Sequence, residues 1–471
     1  MAPTPLTNTA VQSESVNPMQ KFAIGVWLVE LTIYFSRFFD QVAAGYHVPA
    51  LVLFLLIFTS VMSGRLLKGF PSKAGRMMLM FWLWISFTTP LGIWRSNSLS
   101  LYAAFLVSLL YFAVISGVVA SPKDLRQNMI TLAIALLMAA GLSFVFGANR
   151  QERFELEVGT YHDPNQYAMC LLIGIPLWWY IAVSAKSAMV KMFAIACTIP
   201  IFFAFLRAGS RGGLLGLGAI LFILFLQSSM PKKFALIAGI SVAVLGAAAL
   251  MPGYLKTRYM TSLGSDSVQV DDKAHTEYLQ ADINSAQSRK LILIKSFEVT
   301  LEHPLMGVGL NNFPVAVYAD AKQGGKRYDW LVTHNSYTQI STETGIPGLL
   351  IFLTMIFYAF QSLSQVHKLT GPRSAQPQPE IWNIAKYLRL SLAGACVCMF
   401  FLSVAFTPEI YVLVGLTIAL ERVARQQVGP VTVAAPVGPQ VGAQFAPRPR
   451  MPLPPRPPFP VAPARYPVRP A

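Results

Sequence analysis

Three arginines and one histidine stand out in a chain otherwise poor in ionisable residues: Arg207, Arg211, Arg289 and His334. His334 lies in Thr333-His334-Asn335-Ser336-Tyr337-Thr338-Gln339-Ile340-Ser341, a run too polar for an ordinary buried apolar segment. A neutral imidazole near pH 7 can take a proton from a hydroxyl. A helix through this run would set Tyr337, Thr338 and Ser341 on the face of His334. Spacing alone suits a structural histidine as well as a catalytic one. Arg207-Ala208-Gly209-Ser210-Arg211-Gly212-Gly213 offers a different chemistry. Its glycines permit close backbone approach, Arg211 opens a helix, and a helix N-terminus beside two guanidinium groups suits a diphosphate. The bland alternative is a pair of charges marking a membrane boundary, which the bias against arginine on the translocated side weakens. Arg289 heads an amphipathic stretch, Arg289 to Phe297, that closes at His303-Pro304. Asp163 and Asn165 flank Pro164 and read first as a turn and helix cap. Tyr328, Trp330 and Tyr337 could stack on a ligand ring or pack a loop onto its neighbours.

Membrane helices must position these residues. The 471-residue chain is 54% hydrophobic and only 12% charged, and its apolar residues come in blocks separated by short basic connectors, which excludes a soluble globular class. Apolar runs cover 22–39, 48–63, 77–94, 99–120, 128–148, 167–184, 190–206, 212–230, 234–252, 346–363, 388–406 and 409–420. They predict an all-α polytopic protein with about twelve spans, the first interrupted by Glu30 and the last short. The net charge of +16 could suggest nucleic acid, but its placement is topological. Seventeen Lys and Arg, from Lys21 to Arg425, fall in connectors on the side of the N-terminus, against six (Arg37, Arg95, Arg150, Arg153, Arg207, Arg211) in short connectors opposite. Both termini are therefore expected in the cytoplasm, with no nucleic-acid partner.

The expected organisation is a cytoplasmic segment 1–21 without a cleaved leader, nine spans over 22–252, a large periplasmic loop over 253–344, three spans over 345–425, and a disordered Pro-rich cytoplasmic tail over 426–471. Cys170, Cys197, Cys396 and Cys398 all fall within spans and read as small core residues. Trp178-Trp179-Tyr180 reads as an interfacial anchor. Polar residues gather at span ends rather than at mid-membrane, which favours chemistry at an interface over transport through the bilayer.

His334-Asn335 followed, after nine residues, by Gly345-Ile346-Pro347-Gly348 resembles the signature of the O-antigen ligase and polymerase superfamily. The Arg207 to Gly213 connector is similar to it too. So are Arg289 with His303-Pro304-Leu305-Met306-Gly307-Val308-Gly309-Leu310-Asn311-Asn312-Phe313, and Tyr161-His162-Asp163-Pro164-Asn165-Gln166. Each motif is loose; their order over roughly residues 150 to 360 is specific. The resemblance implies an inner-membrane glycosyltransferase of the membrane-embedded GT-C type. It would move a glycan from undecaprenyl diphosphate to a periplasmic hydroxyl, with inversion and without a metal or other cofactor. In ligases the acceptor is lipid A-core oligosaccharide; a polymer end or a protein serves in relatives. His334 would activate the acceptor, Arg211 and Arg289 would grip the diphosphate with Arg207 in support, and Asn335, Tyr337, Tyr328, Trp330, Asp163 and Asn165 could touch substrate. Arginines are the expected counter-charges, since Asp271-Asp272 adjoins Lys273 and no Asp-x-Asp element occurs. A lipid-linked-oligosaccharide flippase is the alternative from another class; it would carry charge within the spans and have no requirement for His334.

Overall fold

A computed structural model describes residues 17–150, 153–250, 253, 259, 273–323 and 332–428. The fold is helical, and each of the twelve apolar runs coincides with a helix. In chain order these are α1 (Pro18–Ser36), the short α2 (Phe38–Val42), α3 (Val48–Met62), α4 (Lys73–Thr88), α5 (Arg95–Val118), α6 (Pro122–Phe146), α7 (Pro164–Ser184), α8 (Ala188–Arg207), α9 (Arg211–Gln227) and α10 (Met230–Leu250). Then follow α11 (Lys273–Glu302), α12 (Phe313–Gln323), α13 (Ser336–Thr370), α14 (Pro379–Cys398) and α15 (Pro408–Val428). A small antiparallel hairpin, β1 (Ala148–Arg150) with β2 (Arg153–Glu155), joins α6 to α7.

Among the described residues six helices, α5, α6, α7, α8, α13 and α14 extended to Phe401, are long and apolar enough to cross a membrane, while α3 and α9 are apolar but shorter. The protein is a multi-pass membrane protein. Side-chain caps start several helices: Ser121 with Asp124 forms a capping box on α6, Asp163 caps α7, Ser210 caps α9 and Asn335 caps α13. The apolar window of α7 is 78% buried against 28% for its neighbour α8, so α7 is central and α8 peripheral. Leu215, Phe222, Phe234, Ile237 and Leu245 are exposed on α9 and α10, the surface expected of helices facing lipid.

Some polar groups within the bundle find partners. The Tyr111 hydroxyl donates to Glu30, and the Trp27 indole donates to Asn128 at 2.7 Å. The four cysteines are free, three of them buried. Trp178 and Tyr180 correct the anchor reading: they are 3% and 1% exposed and belong to the core, with the Trp178 indole donating to the Ala133 carbonyl. α7 is enclosed by neighbours, so its aromatics meet protein where a peripheral helix would offer them to headgroups. The amphipathic stretch at Arg289 is the last part of a longer helix, α11, that begins at Lys273. Its inner face carries Ile292, Ser296 and Val299, while Leu291, Ile294, Phe297 and Leu301 are exposed along the outside.

Candidate functional site

The break in α13 explains why two separate motifs travel together. Gly345 interrupts the helix with φ 75° and ψ 175°, a conformation essentially restricted to glycine. The break frees backbone groups, and the His303 to Asn312 loop takes them up. The Val308 and Gly309 amides donate to the Thr342 and Glu343 carbonyls at 2.8 and 3.0 Å, and the Ile346 amide donates to the Pro304 carbonyl at 2.8 Å. Gly307 is also at positive φ, and a Cβ there would run into the backbone of Glu343 and Thr344. Glu343 itself is 2% exposed, and its carboxylate accepts from the Asn311 amide. It supports this junction. Pro347, which has no amide hydrogen, follows the break, where no hydrogen bond is lost.

The start of α13 is held as closely. Asn335 caps it, accepting from the Tyr337 and Thr338 amides at 2.9 and 3.1 Å. The Ser336 hydroxyl donates to the Leu402 carbonyl at 2.7 Å and accepts from the Val404 amide, and the Thr333 and Ser403 hydroxyls lie 2.9 Å apart. His334 does not ride on the helix face; it stands just before the cap in the left-handed region, φ 47°. A non-glycine residue there carries backbone strain that the surrounding hydrogen bonds hold in place. Burial pushes the His334 imidazole below the ordinary histidine range, the Arg289 cation pushes the same way, and Asp163 opposes both. A lowered pKa favours the neutral imidazole.

The Arg207 to Gly213 connector reaches the same place from the other side. Gly212 packs so tightly on Phe401 that a Cβ would fall 2.7 Å from the Phe401 Cβ, and Phe401 precedes the Leu402 carbonyl that receives Ser336. Arg211 and His334 therefore flank one short segment, each within two residues of its contact. Arg207 lies over the Phe154 ring at 4.7 Å. Among the described residues it is the single charged one lining an apolar cavity of about 600 Å³ between α7, α8, α9 and α10, whose wall includes Ile199, Phe203, Leu217 and Ile240.

Asp163 accepts from the Asn165 amide at 2.8 Å, the cap expected from the sequence. Tyr337 turns to packing: its hydroxyl donates to the Cys396 carbonyl and its ring lies 4.4 Å from that of Phe400. Tyr328, Trp330 and Asp271-Asp272 lie outside the described residues. Two contributors escaped sequence reasoning. Arg153 donates to Asn165 at 2.7 Å and to the Ala208 carbonyl at 3.0 Å, tying the Asp163 turn to the arginine connector. Glu409, 1% exposed, accepts from Gln166 at 2.9 Å and Tyr34 at 3.4 Å. An arginine on the translocated side and a carboxylate heading an apolar run were the available signals.

Residues 195–353 match the family described as O-antigen ligase. The chain resembles the O-antigen ligase superfamily through this segment. The matched stretch runs from α8 into α13 and contains Arg207, Arg211, Arg289, His334 and the Gly345 break; Asp163 and Arg153 lie before it. A search of curated proteins returned no match. Members of the O-antigen ligase family are membrane enzymes of glycosyltransferase type, ligases or polymerases, and the basic, histidine-bearing site is compatible with such chemistry.

Proposed function

We propose that the chain is an O-antigen ligase of the inner membrane, a GT-C-type enzyme that transfers a glycan from undecaprenyl diphosphate to a hydroxyl of lipid A-core oligosaccharide. In this reading nine spans fill 22–252 and three fill 345–425, both termini are cytoplasmic and 253–344 is the periplasmic loop; most of 426–471 lies outside the described residues. The observation that carries it is that, from the matched segment, Gly212 beside Arg211 packs on Phe401 while Ser336, two residues after His334, bonds Leu402, with Arg289 acting on His334 electrostatically. A base and a group of cations are what transfer from a lipid diphosphate requires.

The acceptor oxygen bonds to the anomeric carbon as the bond from that carbon to the diphosphate oxygen breaks, with inversion. The hydroxyl proton passes to His334. The bonding electron pair leaves on undecaprenyl diphosphate, whose charge Arg211 and Arg289 stabilise with help from Arg207. The isoprenoid tail lies in the apolar cavity that Arg207 closes. The outer stripe of α11, Leu291, Ile294, Phe297 and Leu301, rests on the periplasmic membrane surface.

The test is purified protein supplied with lipid-linked glycan and, in separate reactions, lipid A core, a glycan-bearing polymer end or an acceptor peptide. Glycan on lipid A core supports the ligase. Product only on the polymer end or the peptide moves the chain to polymerase or protein glycosylation, and translocation without any transfer would contradict the reading.

A further inference from the structure

The far end of α13, well beyond the Gly345 break, gathers basic groups without a counter-charge among the described residues. His367 stacks on Trp382 of α14 with ring centres 4.9 Å apart. Lys386 lies 5.8 Å from the same indole and 5.4 Å from the Tyr387 ring. Arg389 donates to Ser364 of α13 at 3.4 Å, and Lys232 at the start of α10 adds its charge to that of Lys386. Among the described residues no carboxylate pairs with His367, Lys386 or Arg389. The acids on neighbouring turns are engaged elsewhere, Glu380 by Arg126 at 3.9 Å and Glu421 by Arg425 at 2.7 Å. His367 Nδ1 and Arg389 Nε are buried with no hydrogen-bond partner.

The charge rule explains why Lys and Arg occur on this side of the membrane. It does not explain why two cations and an imidazole converge, partly buried, with His367 Nδ1 and Arg389 Nε left without hydrogen-bond partners, an arrangement that costs free energy until an anion completes it. The geometry points to a binding site for the phosphate headgroup of an anionic phospholipid, held by His367, Lys386 and Arg389 between the ends of α13 and α14. The guanidinium fork and the ammonium take phosphate oxygens. The half-buried Trp382 forms the amphipathic wall that interfacial aromatics present to lipid, with the buried Tyr387 behind Lys386. A free phosphate would use the cations and leave that wall without a role. On the topology proposed above, the lipid belongs to the cytoplasmic leaflet; the binding itself is independent of transferase activity.

Native mass spectrometry of the full chain in detergent, with phosphatidylglycerol or phosphatidylcholine added, tests the site. Wild-type protein should retain phosphatidylglycerol preferentially. Arg389→Gln and Lys386→Gln should each weaken retention about five-fold, the change matching the roughly 1 kcal/mol that one Lys or Arg contributes near an anionic surface. Both variants should elute as wild type on size exclusion, and millimolar inorganic phosphate should not displace the lipid. Equal retention of the two lipids, or of phosphatidylglycerol by wild type and a well-folded variant, would overturn the site. Complete displacement by inorganic phosphate would replace the lipid with a free anion.

Discussion

α13 sets a histidine near an arginine at each end, and the two ends are built differently. At His334 a carboxylate, Asp163, opposes Arg289, Asn335 caps the helix, and hydrogen bonds of Ser336 and Thr333 tie the backbone to the 402–404 segment. At His367 there is stacking on Trp382 and one long bond from Arg389 to Ser364, with no acid in attendance among the described residues. A group that must move a proton needs a set orientation and a tuned affinity for that proton. A group that receives a headgroup needs uncompensated charge. On the proposed function, the contrast fits chemistry at the first end and binding at the second.

The sharpest way to break the contrast is at the cations of the first end. Arg211→Lys keeps the charge but loses the planar fork, so transfer should fall on the order of tenfold to a hundredfold, measured as initial rate with lipid-linked glycan; full activity would leave Arg211 as a boundary charge. The same substitution at Arg389 should leave transfer unchanged.

Gly345→Ala tests whether the first end depends on its locked backbone. The new Cβ would meet the Leu305 carbonyl at a positive φ, and a loss of about 1–3 kcal/mol is expected, read as a lower Tm in detergent. Retention of the wild-type Tm would mean that the loop does not depend on the break.

A smaller effect concerns pH. His334 must be neutral to accept a proton, so activity falls as pH drops through its lowered pKa. Arg289→Gln removes a cation that lowers this pKa and should move the acid limb of the rate profile to higher pH. Asp163→Asn removes the opposing charge and should move it lower. Limbs that stay in place would uncouple these residues from His334. The smallest expected effect is none at all: with arginines neutralising the diphosphate, EDTA should leave the rate unchanged, and reversible loss would return attention to Asp271-Asp272.

Much of the His334 end was legible in the sequence, and the His367 end was not. Apolar blocks mark the helices because lipid and core both select them, and Asp163-Pro164-Asn165 reads as a cap because the cap is local. His334 and the arginines stand out because ionisable groups are scarce. What was illegible is long-range. Docking of Pro304 to Gly309 on the Gly345 break is a pairing of backbone groups about forty residues apart in the chain, which side-chain type hardly signals. His334 was expected on the helix face, but the cap at Asn335 starts the helix beyond it. Arg153 gains its role from Asn165 and Ala208 only once the hairpin folds back. Trp178 and Tyr180 misled because enclosure of α7 by its neighbours is a property of the assembled bundle.

The central claim is that His334 performs chemistry and does not merely hold structure. His334→Ala should be assayed for transfer to lipid A core and, on the same preparation, for binding of the lipid-linked donor. The account predicts a loss of at least roughly a hundredfold in transfer with donor binding and Tm near wild type. Transfer at the wild-type rate in that folded, donor-binding variant would contradict it.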